Sequence, residues 1–164
     1  MKSSRLLLEF IAAFEASGKP HLKAVKSLED GNWEIGFGHL SDDYFPVSEG
    51  TYISEEQAYD LLQHDVGEAE AAVNAFAAKH FLHFAQHEFD AIVSAVFNGV
   101  DCTSGRTGIS KALIKWGGGE HCASEVRDEL SRWVYATVGG KKVKLKGLAR
   151  RRNAEAKMFL DGVY

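Results

Sequence analysis

The chain has 164 residues, 45% of them apolar and 26% charged, with a formal net charge of −4. That is about one domain's worth of chain, long enough to bury a sizeable core, with the composition of a soluble globular protein. No apolar run approaches the roughly 18 residues a membrane-crossing helix needs, and two cysteines, Cys102 and Cys122, are expected as free thiols rather than as a disulfide scaffold.

The opening "MKSSRLLLEFIAAFEASG" imitates a signal peptide for a few residues. Glu9 and Glu15 interrupt it, and Leu7, Phe10, Ile11 and Phe14 recur at helical spacing. The pattern predicts an N-terminal helix within residues 1–18, capped by Ser3 or Ser4 and stopped by Gly18 and Pro20, with no export signal of the chain's own. Glu15 falls in its last turn or just beyond. Residues 19–53 are short, mixed and rich in Gly, Asp, Ser and Tyr, and predict a small β-lobe. Within it lies "NWEIGFGHL", residues 32–40. As a strand this stretch puts Trp33, Ile35 and Phe37 on one face and Glu34, Gly36 and Gly38 on the other. One carboxylate would then stand beside a strip cleared of side chains, where something else can approach.

"ISEEQ" starts a long helix over 54–78, with Ser54 and Gln57 at capping-box spacing and Leu61, Leu62, Val66, Ala69 and Val73 turned inward. The remainder, 79–164, reads as a helical lobe. Phe89, Ile92, Val93, Val96 and Phe97 mark one buried helix; 108–116 and 120–136 read as two more, separated by "GGG"; a last helix covers about 147–160. The expected architecture is α+β, a single domain with its two lobes joined by the long helix.

An acid at a helix end with a second acid on a nearby hairpin is the strongest chemical pattern. Carbonyl dipoles at the helix C-terminus, and burial by Phe14, would both raise the pKa of Glu15 and suit it to donate a proton. A donor and a second carboxylate flanking a cleft are what glycosidic cleavage requires. The other candidates are weaker. His80, His83 and His87 have helical spacing but no matching fourth ligand, and read as surface histidines; no metal or cofactor is implied. Cys102 has no identifiable partner to activate a thiol. "KKVKLKGLARRR" (141–152) carries four lysines and three arginines with no acid, leaving −11 for the rest of the chain. It points to an anionic partner, yet contains no aromatic for stacking on nucleic acid.

Six segments, "FIAAFEASG", "WEIGFGHL", "ISEEQAYDLLQHDV", "FDAIVSAVFN", "RWVYATVGGK" and "GLARRRNAE", together resemble the phage-type lysozyme family, in its order and over nearly the whole chain. The resemblance implies a lysozyme-like fold and a monomeric peptidoglycan muramidase cutting the β-1,4 bond between N-acetylmuramic acid and N-acetylglucosamine. It implies Glu15 as general acid. The family's threonine is replaced by Glu34, and the position of its aspartate is Leu28, leaving Glu29 and Asp30 as neighbouring candidates for the missing carboxylate. Glu34 could attack the anomeric carbon, activate a water, or assist Glu29 or Asp30; a site that has lost its activity, leaving a wall-binding or protein-interaction module, is the alternative. Gly36, Gly38, His39 and Thr107 are implied as substrate-binding, and Arg151, flanked by Arg150 and Arg152, as the arginine beside the catalytic glutamate, where it would oppose the helix-end effect on Glu15. The partner implied is peptidoglycan, reached from the host cytoplasm with the help of a holin, a virion or a secretion machine; neither nucleic-acid binding nor membrane insertion is expected.

Overall fold

A computed structural model describes residues 1–15, 18–27, 31–118 and 122–164. The chain divides into two compact units, Leu8–Gly67 and Met1–Leu7 with Glu68–Tyr164. Helices α1 (Arg5–Glu15) and α2 (Glu55–His80) each contribute to both.

In the unit Leu8–Gly67, Phe10 and Ile11 of α1 are buried, as their spacing predicts, together with Leu8 and Ala12, while Phe14 of the same expected face is half-buried. Three antiparallel strands follow in the order β1 (His21–Lys26), β2 (Trp33–Gly36), β3 (His39–Leu40). β2 is central. Its Glu34 stands opposite Val25 on one side and Leu40 on the other. The free edge of β1 is met by residues 51–53, through Ala24 N–H to the Thr51 carbonyl and Ile53 N–H to the Leu22 carbonyl, both 2.9 Å. The capping box that opens α2 forms as its spacing indicates: Gln57 N–H donates to Ser54 Oγ at 3.1 Å, and Ser54 N–H to Gln57 Oε1 at 2.8 Å.

The second unit holds α3 (Gln86–Phe97), α4 (Gly108–Trp116), α5 (Ala123–Leu130) and α6 (Lys146–Asp161), with a two-stranded ribbon of β4 (Tyr135–Val138) and β5 (Lys141–Lys144). Every residue of α3 from Phe89 to Ala95 is buried. The ribbon corrects the expectation of one helix over 120–136. α5 stops at Leu130, and "VYATV", with three β-branched residues and one aromatic, then leads to Gly139 and Gly140, whose φ of 56° and 77° suit a tight hairpin turn. Residues 120 and 121 lie outside the described residues.

Asp90, fully buried on α3, gathers several segments of this unit. Its carboxylate accepts from Ser4 N–H at 3.2 Å, Gln86 Nε2 at 2.9 Å, the Ser4 hydroxyl and the Tyr164 phenol. Ser4 Oγ also accepts from Leu7 N–H at 3.2 Å, so Ser4 is the N-terminal cap of α1. Burial, together with the bond to Asp90, pushes the Tyr164 phenol up to about 12. At the end of α2, Leu82 N–H returns to the Ala77 carbonyl at 2.9 Å around Phe81, which takes a left-handed φ of 57° and is 84% exposed.

Replacing Asp90 by Ala takes the common acceptor from four part-buried hydrogen bonds, each worth about 1 kcal/mol, and should lower the unfolding free energy by several kcal/mol in urea titration. Because the folded state holds the Tyr164 proton above its ordinary pKa, that contribution is complete below pH ~10 and is lost as pH rises toward about 12; Tyr164→Phe should remove this alkaline limb from the melting-temperature profile. Phe81→Gly relieves a left-handed non-glycine residue and should stabilise the protein by roughly 1 kcal/mol.

Candidate active site

Glu15, Glu34, Gly36, Gly38 and His39 all belong to the unit Leu8–Gly67; Thr107 and Arg151 belong to the other. Glu15 is the last residue of α1. The chain leaves the helix there, with Gly18 N–H closing back on the Ala12 carbonyl at 3.0 Å. Phe14 packs its ring 5.0 Å from that of Phe10, and Glu15 is solvent-exposed, so the expected burial of this acid by Phe14 is not observed. Glu34 is half-buried in β2, with ladder partners on both sides, while its neighbour Ile35 is fully buried. Leu28, Glu29 and Asp30 lie outside the described residues.

The alternation expected through residue 38 stops at Ile35. Gly36 takes φ 66°, Gly38 takes φ 98°, and Gly38 N–H bonds to the Ile35 carbonyl at 3.3 Å. The stretch after Gly36 is therefore a turn, which buries Phe37 with its ring 4.9 Å from that of Tyr59. A Cβ on Gly36 would point at Ala58 Cβ and Ile53 Cδ1, 3.5 and 3.6 Å away. Gly36 is thus the close approach of the hairpin to α2 rather than a cleared patch beside Glu34. Only Gly38 opens onto free space, with nothing within 4 Å of an added Cβ.

His39 stands opposite Ile35 and is 3% exposed. Its Nδ1 lies 2.8 Å from Asp65 Oδ1 on α2, and its Nε2 lies 3.2 Å from the Phe45 carbonyl. The Phe45 carbonyl can only accept, so the Nε2 contact is a hydrogen bond in the tautomer that carries its proton there. Burial pushes the Asp65 carboxyl up, and the His39 hydrogen bond opposes that. The loop beyond is held by Asp42, whose carboxylate accepts from Tyr44 N–H and Phe45 N–H at 2.9 and 2.7 Å. Those bonds, with Phe45 foremost, hold the Asp42 carboxyl below its ordinary value. His64 adds a contact to Asp42 at 3.3 Å and stacks on the Tyr44 ring at 3.9 Å. His39 is therefore an organiser of the loop backbone. Asp65 is the functional partner that sequence reasoning missed: it sits in the polar part of a helix, and nothing in its spacing ties it to a histidine 26 positions earlier.

In the other unit, Thr107 caps α4. Its Oγ1 accepts from Ser110 N–H at 3.2 Å and lies 2.6 Å from the Asp101 carbonyl. Arg151 is 4% exposed, with Nε 3.2 Å from Glu155 Oε1. Glu155 also takes Arg152 Nε at 2.6 Å and the Ser94 hydroxyl at 2.7 Å, and is completely buried. Burial pushes the Glu155 carboxyl up, while Arg152, Ser94 and Arg151 pull it down. Cys102 is completely buried, which raises its thiol far above the reactive range and excludes a thiolate nucleophile there; both cysteines are free. His80 packs on Phe76, and His87 Nδ1 faces the Met158 carbonyl at 3.0 Å.

An acid ends the first helix, a second acid lies in the central strand of a small antiparallel sheet, and the long helix α2 follows that sheet in the chain; the comparisons with known proteins make this a glycosidase of the lysozyme type. A family model described as "Phage lysozyme" matches residues 15–155. The chain belongs to the phage lysozyme family. It is 33% identical over 129 residues to the endolysin of Acyrthosiphon pisum secondary endosymbiont phage 1, spanning 79% of this chain and 80% of that protein. Among solved structures, an endolysin from Escherichia coli O157:H7 phage FAHEc1 superimposes with TM-score 0.78 at 34% identity, over 100% of this chain and 96% of the other. The muramidase domain of SpmX from Asticaccaulis excentricus gives TM-score 0.77 at 30% identity, over 97% of both. The fold is the expected lysozyme-like α+β fold.

The His39–Asp65 pair joins the hairpin to α2, so His39→Ala should lower the unfolding free energy by about 2–4 kcal/mol, and a double-mutant cycle with Asp65→Ala should show strong coupling. Glu155→Ala leaves two guanidinium groups buried without their carboxylate. It should cost about 3–5 kcal/mol in denaturant titration.

Proposed function

We propose that the chain hydrolyses the β-1,4 bond between N-acetylmuramic acid and N-acetylglucosamine, with Glu15 as general acid and Glu34 as second carboxylate. The observation that carries this reading is an exposed acid ending α1 together with a half-buried acid in the central strand of the same compact unit. A glycosidic oxygen is a poor leaving group until it is protonated, and the sugar cation that develops as the bond breaks needs a negative charge or a nucleophile beside it. Glu15 supplies the proton. Glu34, held on both sides by the sheet ladder, is a rigidly mounted carboxylate of the kind the second role needs. If it attacks the anomeric carbon, a covalent glycosyl-enzyme forms and configuration is retained; if it activates a water, configuration inverts. Glu29 and Asp30 are the other carboxylates of this hairpin segment and take the second role in the alternative arrangement, with Glu34 assisting.

Gly38 gives a sugar open approach at the hairpin turn, Gly36 sets the turn, and His39 holds it against α2. Thr107 and Arg151 are engaged by the α4 cap and by Glu155, and no chemical step is assigned to them. Action on the wall fits a chain made in the host cytoplasm and delivered by a holin, a virion or a secretion machine, working as a monomer.

The test is release of soluble muropeptides from purified peptidoglycan, with reducing ends identified by mass spectrometry. Glu15→Gln and Glu34→Gln should each lower the rate by about 10²–10⁴-fold, the usual weight of a positioned acid or base, without changing the melting temperature. Loss in Glu15→Gln alone would transfer the second role to Glu29 or Asp30. Wild-type protein that pellets with peptidoglycan and releases nothing would make the chain a wall-binding module.

A further inference from the structure

The ribbon of β4 and β5 is unlike the rest of the molecule. Among its residues only Ala136 is even half-buried, although Tyr135, Val138 and Val143 are 48%, 56% and 41% exposed. The register sorts the side chains onto two faces. Tyr135 stands opposite Lys144 and Thr137 opposite Lys142, while Ala136 stands opposite Val143 and Val138 opposite Lys141. Cross-strand partners share a face, so one face carries Tyr135, Thr137, Lys142 and Lys144, and the other carries Ala136, Val138 and Val143 with Lys141 at the tip. Lys142 lies 5.1 Å from the Tyr135 ring centre. Among the described residues none of these lysines has a carboxylate partner, and Lys146 follows directly. An apolar stripe in water with unneutralised cations around it is half of an interface.

We propose that this hairpin is a peripheral docking surface for an anionic lipid bilayer, whose headgroup–acyl boundary takes Val138 and Val143 and whose phosphates take Lys141 on the same face and, around the ribbon's edges, Lys142 and Lys144. Charge and polarity together select this occupant. A nucleic acid would satisfy the lysines but not the valines, and a carboxylate-bearing wall polymer has the same shortcoming. A bilayer surface offers anions above an apolar layer within one side chain's length, and flexible lysine stems bridge the two. The remainder of the chain, at −11, does not block the contact, because charges more than about 8 Å apart are largely screened at physiological ionic strength. Docking of this kind lies at the surface, and no helix among the described residues is long and apolar enough to cross a membrane. It is also separate from the glycosidase chemistry, which uses none of these residues.

The experiment is co-sedimentation of the full chain with phosphatidylglycerol-containing vesicles and with pure phosphatidylcholine vesicles, at low and high salt. Wild type should bind the anionic vesicles only, and salt should release it. Lys141→Glu, Lys142→Glu and Lys144→Glu combined should weaken binding at least tenfold. Val138→Ser with Val143→Ser should weaken it severalfold at unchanged salt dependence. Both variants should keep the wild-type melting temperature and muropeptide release, since the substituted side chains are exposed. A Val138→Trp variant should show blue-shifted emission, quenched by brominated lipid, on anionic vesicles. Absence of wild-type binding, equal binding to both vesicles, or binding that survives the lysine reversals would overturn the proposal. So would lysine variants that lose only peptidoglycan pelleting or DNA retention, because the surface would then belong to a wall polymer or a nucleic acid.

Discussion

A buried imidazole with an oxygen facing each ring nitrogen is the constraint on which the β-unit rests. His39 is reached from β3, its Nδ1 is met by Asp65 from α2, and its Nε2 by the Phe45 carbonyl from the following loop. Three separate pieces of chain meet on one ring. The strand that carries Glu34 is hydrogen-bonded to β3, so the aim of that carboxylate depends on the same ring. The arrangement is stable because both nitrogens are satisfied in a site with little water; one missing partner leaves a polar group buried at full desolvation cost. Gly36 completes the attachment by letting the hairpin backbone come within contact distance of Ala58.

The other unit uses the same device with acids at its centre. Asp90 collects donors from the segment before α1, from α3 and from Tyr164; Glu155 collects Arg151, Arg152 and Ser94. Each is a carboxylate without solvent exposure whose burial is offset by several charged or hydrogen-bonding neighbours, and such a cluster tolerates no vacant place. This explains why Arg151, which a motif comparison makes a candidate for the active site, is 4% exposed and bonded within its own helix. It also accounts for the inertness of Cys102, whose thiol lies in the same dry interior near Glu155.

The chemistry is assigned to an acid on a helix end and an acid on a strand, two mountings that differ physically. Glu15 is solvent-exposed where α1 ends. Glu34 is half-buried between two strands, where its backbone cannot shift without breaking a ladder on each side.

What the sequence determined by itself is whatever depends on neighbours along the chain. The amphipathic spacing of α1 and α3, the Ser54–Gln57 capping box, the bounds of α4 and the acid at the end of α1 are all local, and all are found. The family order of short motifs was legible for the same reason. Where local signals competed, reading failed: the helix expected over 120–136 runs into "VYATV", whose β-branched residues and following glycines at 139 and 140 suit a hairpin, and the second strand decides it by pairing. Tertiary structure alone decided the pairing of His39 with Asp65, the turning of Gly36 toward Ala58, the engagement of Arg151 by Glu155 and the burial of Cys102. Each of these depends on groups far apart in sequence arriving at one place with matched polarity, and burial, which sets their energies, is a property of the assembled fold and not of any segment.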